Sequence, residues 1–119
     1  MKKVRRFVRP ILLPVLLLML ASTMSAAGEI KLGVSAPLTG LLATIGQSQV
    51  NGVLLAVEEA NKAGGVIVGG TRATIRTIVE DDENRTDSCA AVFKKLAQMD
   101  RVLAIIGSAG STCTLAGGP

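Results

Sequence analysis

Histidine, tryptophan and tyrosine are all missing from this 119-residue chain, which leaves phenylalanine, present twice, as its only aromatic side chain. Without histidine there is no imidazole to act as a general base or to bind a transition metal. Phe93 is the one aromatic residue beyond position 27, so no platform of rings exists on which nucleic-acid bases would stack. Neither Gly-x-Gly-x-x-Gly nor Gly-x-x-x-x-Gly-Lys-Ser/Thr occurs, which removes the usual nucleotide-binding loops. "GSAGST", at 107–112, has the small residues of a phosphate loop without its lysine. Ser111 or Cys113 would need a base to become a nucleophile, and none is available. No reaction assembles from these residues, and no cofactor, catalytic residue or metal site is expected.

What is present begins with a charge asymmetry. "MKKVRRFVRP" carries five positive charges and no negative one, residues 11–20 are an apolar run, and "ASTMSAA" is small. That order is a secretory signal peptide over residues 1–27, with Ser25 and Ala27 at the −3 and −1 positions and cleavage expected before Gly28. The apolar run is shorter than the roughly 20 residues a membrane span needs. No cysteine follows it, which argues against a lipid-anchored form, and the expected location is periplasmic or secreted. Of the 13 basic residues, five precede Gly28, leaving eight basic and nine acidic residues and a net charge of −1. The basic balance of the whole chain therefore belongs to its leader and gives no reason to expect nucleic-acid binding.

The remaining 92 residues alternate between two periods. "IKLGVS" (30–35) reads as a strand ending at Pro37, followed by a loop with Gly40 and Gly46 at its turns. From Ser48, a plausible N-cap residue, Val50, Val53, Leu54, Val57 and Ala60 recur at helical spacing until "AGG" (63–65) stops the helix. A turn at Gly69-Gly70 precedes a β-branched strand near 73–79. "EDDENRTDS" reads as an acidic loop. Cys89, Val92, Phe93, Leu96 and Ala97 then mark a second helix capped by Thr86, Asp87 or Ser88. "VLAII" (102–106) is an uninterrupted apolar run, as expected for a strand buried on both faces. The order β-α-β-α-β predicts an α/β unit with a parallel sheet. There is no internal repeat, low-complexity tract or linker.

In open parallel sheets, ligands bind outside the carboxyl ends of the strands. Three segments reach that edge: 36–46, 80–87 and 107–114. The third couples the flexible backbone of Gly107 and Gly110 to the hydroxyls of Ser108, Ser111 and Thr112, a set suited to a carboxylate or phosphate. Glu80, Asp81, Asp82 and Glu83 have the oxygen chemistry for magnesium, but consecutive side chains point apart, and a solvated loop capping the next helix is the expected reading. Asn84-Arg85-Thr86 matches a glycosylation acceptor for which a bacterial-looking leader gives no use. Cys89 and Cys113 are even in number and, after export, free to pair. Both fall near the starts of successive helices, which permits a Cys89–Cys113 bridge. Burial on the apolar stripe explains Cys89 equally well.

"IKLGVSAPLTGLLATIGQSQVNGVLLAVEEANKAGG", "VEDD" and "AIIGSAGSTCTLA" together resemble the opening of the periplasmic branched-chain amino acid binding proteins, the leucine/isoleucine/valine receptors of ABC importers. The resemblance spans about residues 29–116. It implies a type I periplasmic binding protein lobe, one of two α/β lobes that enclose a ligand between them. It further implies an amino acid or similar small carboxylate as ligand, an ABC transporter membrane permease as partner, and no enzymatic activity. The loop after the third strand holds the ligand carboxylate in that family. The matching residues are Ser111, with Thr112 and Gly110 beside it, while Ile45 matches a position in the pocket wall. The best-known members carry a disulfide between the acidic loop and the third-strand loop, with Cys89 and Cys113 each about one helical turn from those positions. The chain reaches "AGGP" where the family's third helix continues, so residues 28–119 are expected to be the N-terminal part of the first lobe. A ligand-sensing domain of a signalling receptor and, further off, a Rossmann-like enzyme are the alternatives. The leader and the lack of a following membrane helix favour the transport receptor.

Overall fold

The computed structural model describes residues 28–118. The expected leader and its cleavage point at Ala27 lie outside the described residues. The chain runs β1 (Gly28–Ala36), α1 (Ala43–Lys62), β2 (Val66–Val68), β3 (Thr71–Asp81), α2 (Thr86–Lys94) with a π-helical turn (Lys95–Met99), β4 (Ala104–Ile106) and α3 (Ser111–Gly117). The sheet order is β2-β3-β1-β4. β1 pairs in parallel with β3 from Gly28↔Ala73 to Ala36↔Asp81, and with β4 from Leu32↔Ala104 to Val34↔Ile106.

The α/β class holds, but the sheet is mixed. Val66–Val68 form a strand where only a turn was expected, antiparallel to β3 through Gly69 and Gly70. Both glycines have positive φ, 57° and 79°, the backbone that a two-residue hairpin requires. Three residues are too few to show a period, which is why this strand is invisible in the sequence.

α1 starts earlier than expected. It begins at Ala43, so Ser48 is not its N-cap and Ile45 lies in its first turn rather than in a loop. The Ser48 hydroxyl donates to the Thr44 carbonyl at 2.9 Å, the alternative use of a cap-type residue inside a helix. The other end follows the sequence. Gly64 (φ 96°) and Gly65 (φ 85°) close the helix, with Gly64 N–H donating to Asn61 O and Gly65 N–H to Ala60 O. Beyond β2, the Asn61 amide takes both the N–H and the carbonyl of Ile75 at 2.8 Å, standing in for a strand neighbour.

α1 covers one face of the sheet, where Val34, Ala36 and Val50 form a buried cluster with Leu38, Val53 and Val79 against it. The other face carries α2 through Cys89, Val92 and Leu96. Gly33 makes room for Leu96, since a Cβ there would stand 3.1 Å from its Cδ1. Ala97, expected on the apolar stripe, is exposed because the π-helical turn shifts the phase after Lys94. None of Thr86, Asp87 or Ser88 caps α2; its N-cap is Arg85, whose side chain makes no capping hydrogen bond to the helix start.

β4 departs furthest from expectation. The run 102–106 yields a three-residue strand at the sheet edge, with Leu103 64% and Ile106 37% exposed. Burial on both faces needs elements to cover them, and among the described residues no strand pairs outside β4. Among these residues, no helix is long and apolar enough to cross a membrane.

Candidate functional site

The carboxyl ends of β1, β3 and β4 open into the loops at 37–42, 82–85 and 107–110, and polar side chains tie these loops together. The acidic run is the first tie, and it is not a solvated loop. β3 continues through Glu80 and Asp81, and Asp82 is fully buried. The four carboxylates diverge. Glu80 meets Lys95 at 2.6 Å. Asp81 accepts from Leu38 N–H at 2.8 Å, the Thr39 hydroxyl at 2.8 Å and Glu83 N–H at 2.9 Å. Asp82 accepts from the buried Ser35 hydroxyl at 2.7 Å and from Asn84 N–H at 2.9 Å. Glu83 meets Arg85 at 3.3 Å. They share no centre at which a magnesium ion could sit; Asp81 clamps the loop after β1 onto the end of β3, and Asp82 ties β1 itself to the loop after β3.

Burial pushes the Asp81 carboxyl upward in pKa, but the hydrogen bonds from Glu83 N–H, the Thr39 hydroxyl and the Leu38 N–H outweigh it and hold the pKa below its ordinary value. A depressed folded-state pKa contributes stability that is present above the unfolded value, near about pH 4, and is lost as pH falls through the folded value. Urea midpoints measured from about pH 5 downward should therefore fall less steeply in Asp81→Asn than in the unsubstituted protein. Equal slopes would show that these hydrogen bonds do not favour the ionised form.

Gln49, which the sequence reading passed over, is the second tie. Its amide nitrogen donates to Gly107 O at 2.5 Å and reaches Ser35 O at 3.4 Å, joining the ends of β1 and β4. Its Oε1 is buried and has no partner among the described residues. The signal was a polar residue beside the apolar stripe, four positions before Val53, where a solvated face would not place it.

The third loop is partly closed on itself. Gly110 N–H donates to Ser108 Oγ at 3.2 Å, and Thr114 Oγ1 donates to Ser108 O at 3.3 Å. Gly110 packs directly against the Asn84 side chain. Ser111 and Thr112 are exposed at the start of α3, and among the described residues neither hydroxyl is hydrogen-bonded within the protein. Ile45 is 54% exposed in the first turn of α1, whose N-terminus lies at the same edge of the sheet. Of the residues singled out in the sequence, then, Ser111, Thr112 and Ile45 present free surface, while the Ser108 hydroxyl and Gly110 N–H are already engaged.

Cys89 and Cys113 are joined by a disulfide, their Cα atoms 5.2 Å apart, and both are fully buried. With Asp82 they bring three potential metal-ligating atoms within 4.8 Å. Bonded sulfurs offer no thiolate, so this trio does not fit a metal ion.

Residues 29–119 match the family model described as periplasmic binding protein. The leucine-, isoleucine-, valine-, threonine-, and alanine-binding protein of Pseudomonas aeruginosa is 35% identical over 94 residues, covering 79% of this chain and 24% of the relative. Among solved structures, the branched-chain amino acid transporter substrate binding protein LivJ from Streptococcus pneumoniae, in complex with isoleucine, superposes with a TM-score of 0.68 at 34% identity. That match covers 75% of this chain and 24% of LivJ. A solute binding protein of an ABC transporter from R. palustris, in complex with benzoate, gives a TM-score of 0.62 at 27% identity, over 76% of this chain and 23% of its own. The chain thus spans about a quarter of the length of these relatives, which are solute-binding proteins rather than enzymes. It belongs to the periplasmic binding protein family.

Proposed function

We propose that this chain is the N-terminal part of the first lobe of an exported solute receptor, and that its share of the ligand site is a carboxylate contact. In this reading residues 1–27 are a cleaved signal peptide, and the complete receptor hands its ligand to an ABC transporter permease. The solved relatives hold isoleucine in one case and benzoate in another, two molecules that have in common a carboxylate beside an apolar body. The observation that carries the reading is the pair of exposed hydroxyls on Ser111 and Thr112, at the edge where three loops are clamped together. Ser111 and Thr112 donate to the carboxylate, Gly110 lets the backbone approach, and Ile45 contributes apolar wall.

A contact of this kind, open to water, nets only about 0.5–1.5 kcal/mol per hydrogen bond, or roughly 3 when charged. Association costs several times that, so a second lobe must supply the rest. Amide spectra of the purified chain, titrated with isoleucine and separately with benzoate to tens of millimolar, should show small unsaturated shifts confined to 107–114 and 43–46. Ser111→Ala should abolish those in 107–114. Shifts elsewhere, or none, would overturn the assignment of this edge. A saturable micromolar response from the monomer would overturn the requirement for a second lobe.

A further inference from the structure

α3 has only seven residues, too few for a helix to persist in water without tertiary support. Its support is narrow. Cys113 is its one buried residue, Leu115 is 77% exposed, and its main contact is with α2. There Phe93 lies against Gly117 and near Gly107. The other end of the bridge is the firm one, because Cys89 sits with Val92 and Leu96 in the packed face of α2 against the sheet.

We propose that the Cys89–Cys113 bridge is a removable staple for residues 107–117, so that thiol–disulfide exchange sets the order of this segment while the sheet, α1 and α2 stay folded. The step requires a dithiol reductant. Its thiolate attacks one bridge sulfur, the Cys89–Cys113 bond breaks through a mixed disulfide, and the second thiol displaces the remaining cysteine. The chain gains two thiols and the reductant leaves as a disulfide. Both cysteines are fully buried, so exchange proceeds only while α3 is open and is correspondingly slow. The staple stands independently of any ligand; its consequence for Ser111 and Thr112 as a carboxylate contact rests on the function proposed above.

Hydrogen exchange of the purified chain, read by peptide before and after incubation with excess dithiol, tests this. A 24-residue separation between the cysteines predicts roughly hundredfold faster exchange in 107–117 on reduction. Peptides from 30–36 and 71–81 should be unchanged, and reoxidation should restore the original pattern. Cys113→Ala should reproduce the reduced pattern without reductant. Unchanged exchange in 107–117 would overturn the proposal. So would an equal rise in β1 and β3, by reduction or in Cys113→Ala, because the bridge would then hold the whole fold. Two thiols alkylated without reductant would remove its premise.

Discussion

Gly46→Ala is expected to destabilise the protein by roughly 2–4 kcal/mol, although alanine is the better helix former. Gly46 is buried in the first turn of α1, where the helix passes the loop after β1. A Cβ at this position would overlap the Pro37 carbonyl oxygen and stand 2.6 Å from the carbonyl carbon. The obstacle is backbone, and it cannot swing aside as a long side chain would. Pro37 is itself buried, and the next residue, Leu38, is bonded through its N–H to Asp81. Relief would require moving the helix start or breaking the clamp. Gly52 is the control in the same helix, with nothing among the described residues within 4 Å of its added Cβ. Gly52→Ala should stabilise by about 1 kcal/mol through propensity alone. Urea unfolding of both variants decides, and a Gly46→Ala midpoint at or above that of the parent would show that the close approach does not exist in solution.

Asp82→Ala is expected to cost roughly 2–4 kcal/mol. The loss has a named origin. Ser35 and Asp82 are both fully buried, and removing the carboxylate strands the Ser35 hydroxyl and the Asn84 N–H without an acceptor. Asn84 takes φ 53° beside Glu83 at φ 52°, a left-handed pair that the Asp82 side chain helps to hold. Asp82→Asn keeps an acceptor oxygen and should lose less. A double-mutant cycle with Ser35→Ala separates the pair from the turn: coupling of at least about 0.5 kcal/mol is expected for groups in direct contact. Additive losses would mean that Asp82 acts through Asn84 alone. The same substitution should disturb the 107–110 loop, since Asn84 is the side chain against which Gly110 packs.

Local chemistry was enough for the parts of this fold that local chemistry controls. Val50, Val53 and Val57 repeat at helical spacing because α1 has one face on the sheet, and the stop at Gly64 and Gly65 follows from the positive φ that those two positions adopt. The strand at 30–35 and the strand near 73–79 were legible for the same reason, as was the α/β order. The residues that resemble the branched-chain amino acid receptors carried the family. Partners far apart in the chain decided the rest. Whether an apolar run such as 102–106 is buried depends on which elements cover it, and in β4 the edge position overrides the run itself. An acidic tetrad looks solvated until Ser35, Leu38 and Thr39, more than 40 residues earlier, are brought to it. Gln49 is one polar residue among several until the fold sets the Gly107 carbonyl 58 residues away against its amide. Cys89 remained a buried hydrophobe or half of a bridge until α3 was laid beside α2. Periodicity reports which side of an element is apolar. It carries no record of what that side, or a polar group beside it, will meet, because that is settled by chain closure over tens of residues.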